Sequence, residues 1–179
     1  MLKRARITAA IAVLLTFSLT PAIAENPQPR KIYSGWIPYY SMKTSLPAAL
    51  NNGDLIREVM PFWYTIKYNG TKVTITDLYS PANPSVPIAT PLATMRSAGF
   101  TIIPTITDGT DKLVLSNLLS SEAGRNLAVK AIDDLVIANN FDGIDLDFEN
   151  FAFVDGNTSW DKTKPYWVAF VKLLSNSLH

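Results

Sequence analysis

Apolar positions along this chain fall into short runs separated by amphipathic stretches, and the order of the runs predicts an alternating fold. Residues 32–40 (IYSGWIPYY) are apolar and aromatic enough for a first buried strand. A polar stretch with a short helical candidate at residues 46–51 follows. Residues 59–66 (VMPFWYTI) predict a second strand, made irregular by Pro61. Asn69-Gly70 favours a tight turn, so residues 72–75 predict a small hairpin on the loop. Residues 91–98 read as a helix stopped by Gly99, and residues 100–106 (FTIIPTI) as a third strand. Residues 120–140 carry the strongest helical pattern, with Leu127, Ala131, Leu135 and Ala138 on one face and Ser121 or Glu122 near the start. Residues 141–148 predict a fourth strand. Trp167, Phe170, Val171 and Leu174 recur at helical spacing within a last helix at residues 164–178. Four strands with helices between them predict a parallel α/β sheet.

Composition narrows the chemistry. The chain has 179 residues, 47% hydrophobic and 17% charged; a disordered chain shows the opposite balance. It has no cysteine, which excludes disulfide scaffolds, Cys-ligated metal and thiol catalysis. The single histidine is His179, the last residue, which argues against Ser-His-Asp hydrolysis and His-rich metal sites. An enzyme of this composition works with carboxylates.

Charge is unevenly placed. Lys3, Arg4 and Arg6 precede an apolar run at residues 7–19, and Ala22 and Ala24 follow in a small-x-small pattern. Residues 1–24 therefore predict a secretory signal peptide, the apolar run being too short for the roughly 20 residues a membrane span needs. Residues 25–31, with Pro27 and Pro29, predict an extended lead-in. Without the signal, 13 basic residues face 15 acidic ones, a net charge of −2. No basic patch for nucleic acid or anionic membrane remains, and a secreted or cell-wall location is expected.

The most informative segment is Phe141-Asp-Gly-Ile-Asp-Leu-Asp-Phe-Glu-Asn150. In a strand, Ile144, Leu146 and Phe148 share one face, while Asp145, Asp147 and Glu149 share the other at about 6.5–7 Å intervals. Three acids in file repel one another, so at least one is expected to hold a proton with a raised pKa. Such clusters are typical of sites that move protons or bind metal. A solvated strand edge fits poorly with the bulky apolar alternates. Three hard oxygen ligands for Mg²⁺ or Ca²⁺ fit better, in which case a small doubly wound domain is the alternative fold, although no phosphate-cradling Gly-rich loop accompanies them.

Asp142-Gly-Ile-Asp145-Leu-Asp147-Phe-Glu149 resembles the DGxDxDxE motif on the fourth strand of family 18 glycoside hydrolases, the chitinase-like (β/α)8 barrels. Gly35-Trp-Ile-Pro-Tyr-Tyr40 and Pro61-Phe-Trp-Tyr64 resemble the family's first and second strands. The resemblance implies a substrate-assisted glycosidase without cofactor or metal. Glu149 would protonate the glycosidic oxygen, and the substrate's own 2-acetamido oxygen would attack the anomeric carbon. Asp147 would orient that group and stabilise the oxazolinium intermediate, and Asp145 would share a proton with Asp147. Asp142 would be structural, with Gly143 keeping the backbone there unobstructed.

The family's SxGG motif on strand three is replaced here by Thr105-Ile-Thr-Asp-Gly109. Thr105 would supply the serine's hydroxyl, and is counted with Trp36 among substrate-binding residues. Asp108 in place of a glycine suggests a divergent branch, with chitin or a peptidoglycan-like glycan as substrate. Trp36, Tyr39, Tyr40, Trp63 and Tyr64 sit near strand C-termini, where barrel active sites lie, or are simply core. Trp160 would line the cleft or anchor a loop. The sequons at Asn69 and Asn157 matter only in a glycosylating host. Retention of the acid at 149 favours an enzyme over the alternative, a non-catalytic glycan-binding module on the same fold.

A (β/α)8 barrel needs around 250 residues. Residues 32–179 are therefore expected to be the first four βα units of a barrel, its N-terminal half, through truncation, a frameshift or a partial gene. Open sheet edges would make that half prone to self-association and inactive alone.

Overall fold

The computed structural model describes residues 33–179. The expected signal peptide and lead-in lie outside the described residues, as does Ile32. No helix among the described residues is long and apolar enough to cross a membrane.

The chain builds a sheet whose parallel backbone is β1 (Tyr33–Pro38), β2 (Ile56–Tyr68), β5 (Thr105–Asp108) and β6 (Asp145–Asp147), in that order. Every neighbour on this path is parallel and the order follows the chain without reversal. A doubly wound domain reverses its strand order, so that alternative is set aside; the sheet is the curled half of a (β/α) barrel. Two further strands join β2: β3 (Val73–Asp77) antiparallel, as the Asn-Gly turn predicts, and the two-residue β4 (Thr101–Ile102). In that turn Asn69 Oδ1 accepts from the Thr71 and Lys72 amides, so the side chain of this sequon is spent on the turn.

Several boundaries differ from expectation for local reasons. The third strand divides into β4 and β5 because Pro104 has no N–H to give the ladder. Pro61 does not shorten β2, which runs 13 residues. The first strand stops at Pro38, where residues Tyr39–Ser41 form a 3₁₀ turn leading into α1 (Met42–Asn51). After the short α2 (Tyr79–Ala82), α3 (Ala89–Ser97) ends before Gly99, whose φ is 75°. The pattern did not predict α4 (Val114–Leu119), a six-residue apolar helix ahead of α5 (Glu122–Asn139). At the start of α5 the Ser121 hydroxyl accepts from the Gly124 amide.

The buried face of α5 is also offset from the expected one. Gly124, Ala128, Val129 and Ile132 are buried, whereas Leu127 and Ala138 are exposed. The offset follows from packing against α4: a Cβ on Gly124 would lie 1.9 Å from the Leu118 carbonyl oxygen, so the two helices touch backbone to backbone there. The last helix, α7 (Trp160–Leu178), buries Phe170 and Leu174 and leaves Val171 exposed. One core joins Ile37, Val59, Ile102 and Ile106 from the strands to Ala49, Leu92, Met95, Leu115, Leu119, Ile132 and Phe170 from the helices.

Large apolar side chains remain exposed at both ends of the sheet. Tyr33, Trp36, Leu50 and Leu55 lie on or beside β1 and α1; Phe153 (77% exposed), Val154, Trp160, Val168 and Val171 lie beyond β6. Among the described residues, β1 and β6 each pair on one side only.

Candidate active site at the C-terminal end of the sheet

Register places the acids. Thr105 pairs with Asp145 and Thr107 with Asp147, so the two acids stand beside two threonines on the adjoining strand. Thr105 is fully buried, and its hydroxyl donates to Asp145 Oδ2 at 2.8 Å. The same oxygen accepts from the Trp36 indole N–H at 3.2 Å, across from β1. The fold thus brings Trp36, Thr105 and Asp145 together from three strands. Thr105 reaches a substrate only through Asp145, since no part of it faces solvent. Trp36 is 56% exposed and meets Phe62 edge-to-face at 5.8 Å, which leaves much of its ring open.

Asp147 has its pKa raised above the ordinary 3.8, first by desolvation and then by the charges of Glu149 and Asp145. This is the coupled acid row expected from the sequence, with one change. Glu149 is not in the strand: its backbone is helical (φ −81°, ψ −12°) and it caps α6 (Asn150–Phe153), with the Ala152 and Phe153 amides donating to its carbonyl. The strand ends at Asp147 because the chain turns here, and Glu149 stands exposed at the rim. No direct hydrogen bond links the Asp145 and Asp147 carboxyls among the described residues, so a shared proton needs a reorientation of one of them.

Asp142 bonds to the backbone of β4. Its Oδ2 accepts from the Ile102 amide at 2.8 Å, and its own amide donates to the Ile102 carbonyl at 3.0 Å. The Asp145 amide donates to the Pro104 carbonyl, which carries the pairing past the proline. Gly143 differs from expectation: an added Cβ would meet only Ile103 at 3.7 Å, ordinary contact, so the backbone there does not require glycine.

The remaining aromatics divide. Trp63 and Tyr64 are core, and Tyr64 has its hydroxyl pKa pushed upward by burial and by Asp77. Trp63 packs on Tyr79 at 4.6 Å, its indole N–H buried without a partner among the described residues. Tyr40 is exposed and meets Tyr39 edge-to-face. Trp160 begins α7 and donates to the Phe151 carbonyl at 2.7 Å. With Phe148, Phe151 and Trp167 it walls a cleft of about 520 Å³.

Sequence reasoning missed the polar network beside Glu149. Asp108, at the end of β5, accepts from the Thr110 amide (2.8 Å) and hydroxyl (2.7 Å) through Oδ1. Asn150 donates to the Thr110 carbonyl at 3.0 Å. Asp155 is buried and accepts from the Leu113 amide and the Ser116 hydroxyl, each at 2.5 Å. Burial foremost, opposed by hydrogen bonds from Thr110, holds the Asp108 carboxyl above its usual range. The one available signal was Asp108 standing where the related motif has glycine. Among the described residues, no group of three or more acids or histidines is placed to hold a metal ion.

No protein-family model matches the sequence, and no curated protein does. Solved structures do resemble it. The C-terminal domain of a protein designated a chitinase from Desulfitobacterium hafniense DCB-2 superposes with a TM-score of 0.61 at 22% identity, over 83% of this chain and 43% of that one. A chitinase from Bacteroides thetaiotaomicron gives 0.59 at 14% identity, over 81% and 42%. The family 18 chitinase of Cycas revoluta, solved with (GlcNAc)3, gives 0.56 at 18% identity, over 80% and 40%. The chain therefore spans about two fifths of the length of these structures and shares the fold of that part of the chitinase barrel.

Proposed function

We propose that this chain carries the acid-bearing part of a secreted glycosidase that hydrolyses β-linked N-acetylglucosamine glycans, chitin or a peptidoglycan-like polymer. The observation that carries the reading is Asp147, an acid held toward its protonated form first by desolvation and then by the neighbours Glu149 and Asp145, at the C-terminal end of a barrel-type sheet. Barrel enzymes place their chemistry at that end, and a carboxyl between two others suits a site that passes protons.

In this mechanism Glu149, at the rim, protonates the oxygen of the leaving sugar. The 2-acetamido oxygen of the sugar on the other side attacks the anomeric carbon, so the glycosidic C–O bond breaks as the ring of the oxazolinium ion forms. Asp147 hydrogen-bonds the acetamido N–H and offsets the positive charge that develops on it. Asp145, held by Thr105 and Trp36, adds its charge to the desolvation and the Glu149 charge that raise Asp147. Water then adds at the anomeric carbon, giving its proton to Glu149 and reopening the ring.

The acetamido group is thus the nucleophile, and the test removes it. With these residues in a complete barrel, a soluble N-acetylglucosamine oligomer is compared with its deacetylated counterpart by chromatography of the products. Cleavage of the acetylated oligomer alone is expected; equal cleavage of both contradicts the mechanism.

A further inference from the structure

The turn that carries Glu149 is tied down from outside its own strand. Glu149 is the cap of α6, a single four-residue turn, and an isolated turn of that length has no stability of its own. What holds it is a set of side-chain bonds to the segment after β5. The Asn150 amide reaches 40 residues back to the Thr110 carbonyl, and Thr110 is bound twice by Asp108 at the end of β5. At the far end of α6, Asp155 donates its amide to the Asn150 carbonyl and spends both carboxylate oxygens on Leu113 and Ser116. Leu113 adopts a left-handed backbone (φ 62°), a conformation a leucine keeps only when its surroundings enforce it. A partly buried carboxylate such as Asp108 is costly unless hydrogen bonds use it, and here they are directed at the residue that receives Asn150.

We propose that Asn150 is a positioning residue for Glu149: through Thr110 and Asp108 it fixes the backbone on which the acid is mounted, at the height of the β5 and β6 C-termini. Register agrees, since Thr107 pairs with Asp147 and the residues that follow on both strands begin the tether. The kinetic part of this proposal rests on the reading of Glu149 as the acid; the structural part does not.

The test has two arms. In the first, amide hydrogen exchange is followed in Asn150→Ala and Asp108→Ala. Exchange of the Ala152, Phe153, Val154 and Asp155 amides, which bond to the Glu149 and Asn150 carbonyls, should rise about tenfold, the effect of losing roughly 1.4 kcal/mol of local order. Amides of α5 should not change. Asp108→Asn keeps the oxygen that Thr110 uses and should restore the native rates. Thr110→Val, which removes only the hydroxyl leg, should show a smaller rise in the same amides and guards against an alanine variant that fails to fold. Unchanged exchange across α6 in all of these overturns the proposal.

In the second arm, Asn150→Ala is placed in a complete barrel and assayed on an N-acetylglucosamine oligomer, alone and combined with Glu149→Gln. A displaced acid should lower kcat about tenfold or more with KM nearly unchanged, and the double variant should be no slower than Glu149→Gln. Additive losses show that Asn150 acts elsewhere and contradict it. If Glu149→Gln is itself as active as the unmodified protein, the reading of the acid fails while the exchange result still decides the tether.

Discussion

Replacing Asp155 by alanine tests how much of the fold depends on the polar network beside the acids. Asp155 is 6% exposed, and its two oxygens take one bond each from the Leu113 amide and the Ser116 hydroxyl. A hydrogen bond to a charged group contributes about 1.5–3 kcal/mol, so losing two costs about 3–6 kcal/mol before relaxation. The Leu113 amide is also left without a partner in a backbone conformation that itself costs about 1–2 kcal/mol and depends on that bond. Water entry and movement of the loop recover part, which leaves an expected loss of about 3–4 kcal/mol. Domains of this kind hold about 5–15 kcal/mol in total, so the shift is a large share. Urea unfolding followed by far-ultraviolet circular dichroism measures it, with Ser116→Ala as companion. That variant removes one bond and should cost about 1–2 kcal/mol, and the double variant should cost little more than Asp155→Ala, because the two share a bond. A loss below about 1 kcal/mol for Asp155→Ala would refute the reasoning.

Four further outcomes are expected. Asp147 should titrate above 3.8 by carboxyl-carbon NMR and move downward in Glu149→Gln, since one of the charges that raises it is gone; no movement, or an upward one, rules out the coupling. Because Asp147 and Asp108 both hold their protons more tightly in the fold than in the unfolded chain, their contribution to stability is largest below about 3.8 and declines as pH rises to the raised values. Asp108→Asn should therefore gain on the unmodified protein between pH 4 and pH 7 in urea unfolding, and a constant difference sinks the idea. Gly124→Ala should cost about 2–3 kcal/mol or more, because its Cβ meets a backbone carbonyl that cannot step aside, while Gly143→Ala should stay within about 0.5 kcal/mol; thermal melts giving similar values for both would contradict the packing. The exposed apolar side chains beside β1 and beyond β6 should drive self-association. Sedimentation should show concentration-dependent dimers, reduced by Phe153→Lys, and a monomer at every concentration would count against it.

How much of this was legible beforehand depends on which physics decided each element. The parallel order of the strands, the Asn-Gly hairpin and the Ser121 cap follow from local pattern, and the structure has all three. The face of α5 does not, because the contact between Gly124 and the Leu118 carbonyl rotates the helix about one position from its apparent stripe. α4 was too short to show a period. At the site, alternation placed Asp145 and Asp147 correctly, but carried Glu149 one step too far along a strand that had already ended. Nothing in the spacing marks where a strand turns into a helix, and the Asn150–Thr110 bond found at that turn joins residues 40 apart. Asp155 left no signal, since one aspartate in a Val-Asp-Gly turn looks like any exposed loop residue until Ser116 and Leu113 are seen against it.

The most direct test of the central claim is the rate of hydrolysis of a chromogenic N-acetylglucosamine oligomer by a complete barrel carrying these residues and by its Glu149→Gln variant. The account predicts hydrolysis by the first and a kcat lower by about a hundredfold to ten-thousandfold in the second, the usual scale for loss of a general acid, with binding of the oligomer retained. No hydrolysis by the complete barrel, or equal rates for the two, would contradict it.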